Sequence, residues 1–205
     1  MKIFGTFLAL FVFCNCFSQE AIELQNYDHK TLEESTLKIF AENGSIELTV
    51  INPNLIKVCY LQKIKSSDVK NVKTNQEFIR VTQNLENIYM LTDSLLIVIS
   101  KLDFSIKFLN KKEQLYTTSQ NISFENEGLS LKFYKNSDEV FYNSKNKKLK
   151  SKEYSIHKLN SVYSSKNYEL SFDKNSKGNL DLRNSIILNL KFDKLATFGY
   201  YFKTN

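Results

Sequence analysis

The sequence predicts an all-β fold of antiparallel sheets, closed as a sandwich or a barrel. Three observations predict it. Short segments alternate apolar and polar residues along most of the chain, which is the period of a strand with one face in a core and one in water. The intervals between them are rich in Asn, Lys, Ser and Asp, the residues of turns. No long run places apolar residues at the i, i+3, i+4, i+7 spacing of a helix. A chain of 205 residues suits one domain or at most two small ones, and can bury roughly 70% of the surface its unfolded form exposes.

The first element is not part of that fold. Lys2 precedes the apolar run "IFGTFLALFVF", and "CNCFSQE" follows it. This is the layout of a secretory signal peptide, too short for a membrane span. Cleavage is expected after Ser18, with Cys16 and Ser18 as the small residues before the cut. The division is a signal peptide at 1–18 and a single domain at 19–205, exported to a periplasmic or extracellular compartment. A lipid anchor on Cys14 or Cys16 is the rival, disfavoured by Phe13 and Asn15 where such sites want a small residue.

"LKIFAENGSIELTV" (37–50) sets Asn43-Gly44 between two alternating runs, the signal of a tight hairpin turn. "NLIKVCY" alternates Ile56, Val58 and Tyr60 against Lys57 and Cys59, just after the sole proline, Pro53. "EFIRVT" and "IYMLT" are further short strands. "LLIVI" (95–99) is apolar on both faces and is expected inside a packed sheet. "DFSIKFL" alternates Phe104, Ile106 and Phe108 against Ser105 and Lys107. "LSLKFY", "YELSF", "SIILNLKF" and "TFGYYF" continue the pattern, and "NSKNKKLKSK" reads as a long loop. The 16 phenylalanines and 11 tyrosines give the core its bulk. No fixed-period repeat and no linker is visible.

Composition excludes several functions. The formal charge of +6 is spread through loops. Its one dense run, "SKNKKLKSKEYSIHK", reads as a solvated loop, so no nucleic-acid partner is expected. Of three cysteines only Cys59 survives the expected cleavage, so no internal disulfide and no paired-cysteine metal site is expected. Its apolar strand setting makes it a buried structural thiol. His29 and His157 are the only histidines, and neither has a partner at metal-ligand spacing. No Gly-x-Ser-x-Gly elbow or phosphate loop occurs, and no cofactor is implied. Adjacent Asp138 and Glu139 would point to opposite faces of a strand, as a solvated strand entry.

The order of segments resembles the N-terminal domain of glycoside hydrolase family 31, the α-glucosidases and α-xylosidases. "INPNLIKVCY" looks like that domain's proline-asparagine step into a strand ending in an aromatic. "LTDSLLIVISKLDFSIKFLNKKEQLY" is similar to the strand pair that follows. "DEVFYNSKN" resembles an acidic, acidic, x, aromatic, Tyr, Gly, x, Gly, Glu segment. "EYSIHKLNSVY" resembles a segment with tyrosine, aliphatic, aromatic, asparagine and aspartate, and "NSIILNLKFDKLATFGYYFKTN" the closing strands. The resemblance runs from about Leu37 to Asn205. It implies an antiparallel β-sandwich related to galactose mutarotase, packed on a catalytic barrel.

The same resemblance implies that the chemistry lies elsewhere. Glycoside hydrolysis needs two carboxylates flanking the scissile bond, and in that family both sit on the barrel, which would begin where this sequence stops. The family's Gly-x-Gly-Glu is here Asn143-Ser144-Lys145-Asn146, without the glycines that readily take positive φ. Its loop aromatic, asparagine and aspartate align with His157, Lys158 and Asn160. The expectation is a non-catalytic module with no catalytic residues and no metal. Tyr142, His157 and Asn160 are the candidate oligosaccharide contacts, and Tyr154 and Tyr163 lie nearby. A separately encoded or lost barrel is the candidate protein partner. The alternative is a secreted carbohydrate-binding or partner-docking protein unrelated to catalysis. A cleft holding two facing carboxyl groups would count against the non-catalytic reading.

Overall fold

Alternation sorts the side chains into two layers facing one another. The computed structural model describes residues 22–62, 79–125, 128–193 and 198–204. The expected signal peptide lies outside them. Strands are numbered along the chain. Among the described residues the first sheet has ten strands. Its spatial order is β13 (Glu153–Ser155), β16 (Gly178–Asp181), β17 (Ile187–Phe192), β11 (Gly128–Tyr134), β10 (Leu115–Glu125), β9 (Ile106–Asn110), β8 (Leu95–Ser100), β7 (Asn87–Leu91) and β6 (Arg80–Gln83). The tenth strand, β1 (Ile22–Glu23), pairs with β10 beyond a register shift at Gln120/Ser123. The second sheet has eight strands among the described residues. Their order is β12 (Phe141–Tyr142), β14 (Ser161–Ser164), β15 (Tyr168–Ser171), β18 (Phe198–Thr204), β5 (Leu55–Gln62), β4 (Gly44–Asn52), β3 (Thr36–Ala41) and β2 (Tyr27–Glu33). Every pairing among these strands is antiparallel. Two separate sheets make a sandwich, which decides between the two closures the residues left open.

The core lies between the layers. Ile46, Leu48, Val58 and Tyr60 of one sheet face Ile97, Ile106, Phe108 and Phe133 of the other, all fully buried. Its centre is aromatic: Phe202 stacks on Phe108 at 4.0 Å, and Tyr200 meets Phe133 edge-on at 5.1 Å. Edge-to-face and offset contacts of this kind add to the burial of the rings themselves.

Two local expectations need correcting. The tight hairpin forms between β3 and β4, but Asn43-Gly44 is not its tip. The tip is Glu42-Asn43, and Gly44 opens β4 opposite Ala41. Gly44 is needed for close approach: a Cβ there would meet the Leu61 carbonyl oxygen at 2.6 Å and Leu24 Cδ2 at 2.8 Å. Asn43 instead holds the incoming chain, donating from its amide to the Glu23 carbonyl and accepting from the Gln25 N–H at 3.1 Å. "DFSIKFL" is not strand throughout: β9 starts at Ile106, and Phe104 sits in the preceding turn at φ +54°. The Asp103 carboxylate accepts from both the Ser105 N–H (3.1 Å) and its hydroxyl (2.8 Å), closing that turn. Full burial of the Phe104 ring offsets the backbone strain. The stretch "NSKNKKLKSK" is the loop expected, with a single isolated bridge from Lys148 to Tyr142. "LLIVI" runs as expected between β7 and β9, with Leu95, Ile97 and Ile99 in the core and Leu96 and Val98 half-buried on the outer face.

Cys59 is buried, as its strand setting implies. Burial pushes its thiol up to about 11, with Lys57 acting weakly the other way. The neutral thiol is thus the form the fold favours. The associated stability is present below pH 9.0 and is lost as the pH rises through about 11. At pH 8 about one molecule in a thousand carries the thiolate. Cys59 is expected to resist a thiol-disulfide reagent at pH 8 in the folded protein and to react promptly in guanidinium. Mass spectrometry of the Cys59 peptide reads both. Prompt labelling of the folded protein would place Cys59 outside the core.

Candidate functional site

The residues the sequence nominates sit where the chain crosses from one sheet to the other. β13 ends in the first sheet, a single turn of helix α1 (Ile156–Leu159) follows, and β14 opens the second sheet. Ile156 anchors the turn in the core. His157 is exposed on α1, its Nδ1 3.3 Å from the Lys174 carbonyl. Asn160 caps α1 at φ +56°, donating its N–H to the Ile156 carbonyl (2.8 Å) and accepting from the Phe172 N–H (2.9 Å). Its ψ of −36° lies outside the left-handed helical basin, so the cap is a strained position for an L residue. Its side chain is exposed.

Tyr142 lies on the edge strand β12, directly opposite Tyr163 of β14. The two half-buried rings share the outer face of the second sheet. Asn160 immediately precedes β14, outside the strand. Tyr142 and Tyr163 therefore form one cross-strand pair at the sheet edge, while Asn160 belongs to the cap of α1 and His157 is turned toward the Lys174 segment. Tyr154 belongs to β13 in the other sheet, where its hydroxyl meets both the N–H (2.7 Å) and the carbonyl (3.2 Å) of Lys150. It is not part of a platform with Tyr142 and Tyr163.

The loop after Tyr142 is built around Asn143. Its Oδ1 accepts from the N–H groups of Lys145 (3.1 Å) and Lys147 (2.9 Å), and Tyr142 bridges back to Lys148. Asn146 takes φ +56°. An asparagine thus supplies a positive-φ position in a segment without glycine, a conformation this residue type tolerates.

Glu139 is the site residue that sequence reasoning missed. Asp138 is the solvated carboxylate expected at a strand entry, 3.0 Å from the Lys166 ammonium. Glu139 is instead buried, accepting from the Ser164 hydroxyl and from the Asn136 N–H at 3.0 Å. These bonds tie the entry of β12 to the end of β14 and so seat Tyr142. Tyr168 lies behind. Burial first, and then the Glu139 carboxylate, push its hydroxyl well above the ordinary tyrosine range. The signal was present in the sequence: Glu139 and Phe141 are two apart, and Phe141 faces the core.

A second concavity lies elsewhere. A cleft of about 370 Å³ separates Glu23, Leu24, Gln25 and Asn26 from Leu102 and Asp103 of the β8–β9 turn, with Ile122 of β10 at its base. On the outer face of the first sheet, cross-strand register aligns Leu91, Leu96, Leu109 and Leu115 in one row over four strands. Leu115 is 54% exposed. Among the described residues no group of three or more His, Cys, Asp or Glu is placed to hold a metal ion. No helix among them is long and apolar enough to cross a membrane.

No protein-family model and no curated protein sequence matches the chain. Solved structures do. A glycoside hydrolase family 31 dextranase from Flavobacterium johnsoniae, complexed with isomaltotriose, superposes with a TM-score of 0.73 at 16% identity, over 90% of this chain and 27% of that one. A cycloalternan-forming enzyme from Listeria monocytogenes, complexed with a pentasaccharide substrate, gives 0.75 at 11% identity, over 89% and 21%. A family 31 α-xylosidase from a soil metagenome, complexed with xylose, gives 0.71 at 10% identity, over 87% and 32%. The chain thus spans between a fifth and a third of the length of these enzymes. Its fold is the one that glycoside hydrolase family 31 enzymes adopt over one part of their length, as the resemblance read from the sequence implies.

Proposed function

We propose that this chain is a non-catalytic, exported β-sandwich module of the galactose mutarotase-like type, in the position of the N-terminal domain of a family 31-like hydrolase. In this reading it contributes carbohydrate contacts rather than bond cleavage. The observation that carries the proposal is the lopsided coverage: some nine-tenths of this chain matches a quarter or so of each enzyme. Export rests on the signal-peptide pattern at residues 1–18. The experiment is hydrolysis of aryl α-glucosides and α-xylosides by the purified protein. The expected outcome is no turnover above background. A kcat of about 1 s⁻¹ or more, the ordinary range for an enzyme, would overturn the reading.

The leucine row favours a second role for the same module, docking on a separately encoded catalytic partner. Apolar residues aligned across four strands on a solvent-side face are what a partner surface requires. Co-purification of a barrel-bearing protein, lost when Leu109 and Leu115 are both changed to serine, would support this role. A strictly monomeric protein in native extracts would remove it.

A further inference from the structure

Neither proposed role uses the cleft between the incoming chain and the β8–β9 turn. Its two walls are held in place independently. On one side Asn43 ties down the Glu23 carbonyl and the Gln25 N–H, and the Asn26 amide donates to Glu42 Oε2 at 2.7 Å. On the other, Asp103 and Ser105 close the turn, and the Lys101 N–H donates to the Glu86 carbonyl at 2.8 Å. Each wall carries a residue at positive φ, Asn26 at +53° and Phe104 at +54°. Such strain persists only where the surroundings fix it, and it gathers at binding sites.

The lining has a definite chemistry. Leu24 and Ile122 are buried aliphatics, Leu102 is 89% exposed, and Glu23, Asp103, Gln25 and Asn26 supply two carboxylates and two amides. Planar carboxylates and amides present paired acceptors and donors, which suit vicinal hydroxyls, while aliphatic surface suits the C–H face of a pyranose. The carboxylates repel phosphates and other anions. The volume lies within the range of small-ligand sites.

We propose that this cleft is a carbohydrate subsite for one or two neutral pyranose rings, separate from the Tyr142 edge. The inference rests on the carbohydrate-binding part of the proposed function and gives it a location. Two carboxylates in one cleft are also the equipment of glycoside hydrolysis, but Asp103 is engaged differently. Burial would raise its carboxyl, yet hydrogen bonds from Ser100 and Ser105 outweigh this and hold it below the usual carboxylate range. A general acid requires the opposite shift. Asp103 is therefore an ionised hydrogen-bond acceptor for hydroxyl groups rather than a general acid.

The test is residue-resolved amide NMR of the labelled protein, titrated with isomaltose, maltose and xylobiose at millimolar concentrations. Shifts are expected at residues 23–26, 102–103 and 122, saturating with a millimolar dissociation constant. Glu23→Gln should weaken that binding about tenfold, as loss of a charge-assisted hydrogen bond does, while Tyr142→Phe leaves it unchanged. The spectrum away from the cleft reports that each variant folds. Shifts confined to the Tyr142–Tyr163 edge would overturn the location and leave sugar binding standing. Silence with all three sugars would overturn both. Cleft shifts accompanied by hydrolysis would keep the subsite and overturn the non-catalytic reading.

Discussion

Replacing Gly178 by alanine is expected to lower the unfolding free energy by about 4 kcal/mol, at the diagnostic end of what single substitutions do. Gly178 opens β16 opposite Phe192 at φ +141°, a conformation that L side chains rarely adopt. An added Cβ would stand 1.9 Å from the Lys191 carbonyl oxygen and 2.8 Å from Phe192 Cα. Both are backbone atoms of the neighbouring strand, so no side chain can turn away to relieve the clash. β16 must leave β17, and β13, which among the described residues pairs only with β16, goes with it. The crossover carrying His157 and Asn160 then loses its footing. Melting should shift down by roughly 8–16 °C for a domain of this size. Asn179→Ala, one residue on and exposed, should stay within about 0.5 kcal/mol of wild type. Equal melting of the two variants would show that Gly178 is not under the constraint its backbone implies.

The layers were legible because alternation is a local property. "LKIFAENGSIELTV" and "SIILNLKF" state which residues face the core without reference to any partner strand. What alternation does not encode is where a chain leaves the strand. Phe104 satisfies the pattern of "DFSIKFL", yet its ring reaches the core from a turn, because the Asp103 carboxylate captures Ser105. Gly44 satisfies the pattern of a hairpin tip, yet it is fixed by Leu24, a residue twenty positions earlier. The site was less legible for the same reason. Tyr142 and Asn160 were nominated by resemblance and lie on different elements, the edge strand β12 and the cap of α1, and the buried carboxylate that seats Tyr142 depends on Ser164, which sequence places far from Glu139. The cleft is further from view still: its walls come from the first described residues and from a turn near the middle of the chain.

Phe202→Ala is expected to cost about 4 kcal/mol, the usual loss for deleting a buried phenylalanine ring. The reason for placing it at that level is its position between layers. Phe202 belongs to β18, which β15 and β5 flank in the second sheet. Its ring stacks on Phe108 of the first sheet at 4.0 Å and 17°, and lies 6.1 Å from Tyr116 of β10. On its own sheet it stacks at 5.5 Å on Tyr168, which backs the Glu139 corner. Removing the ring opens a cavity bounded by strands paired on both sides, which cannot collapse inward without breaking register. Phe202→Leu retains most of the apolar volume and should cost roughly 1–2 kcal/mol. The difference between the two variants, measured by urea unfolding, isolates the bulk of the ring from its chemistry. A loss below about 1.5 kcal/mol for alanine would mean that the two sheets are not held together through this stack. The Tyr142 edge would then have to be seated by the hydrogen bonds of Glu139 alone.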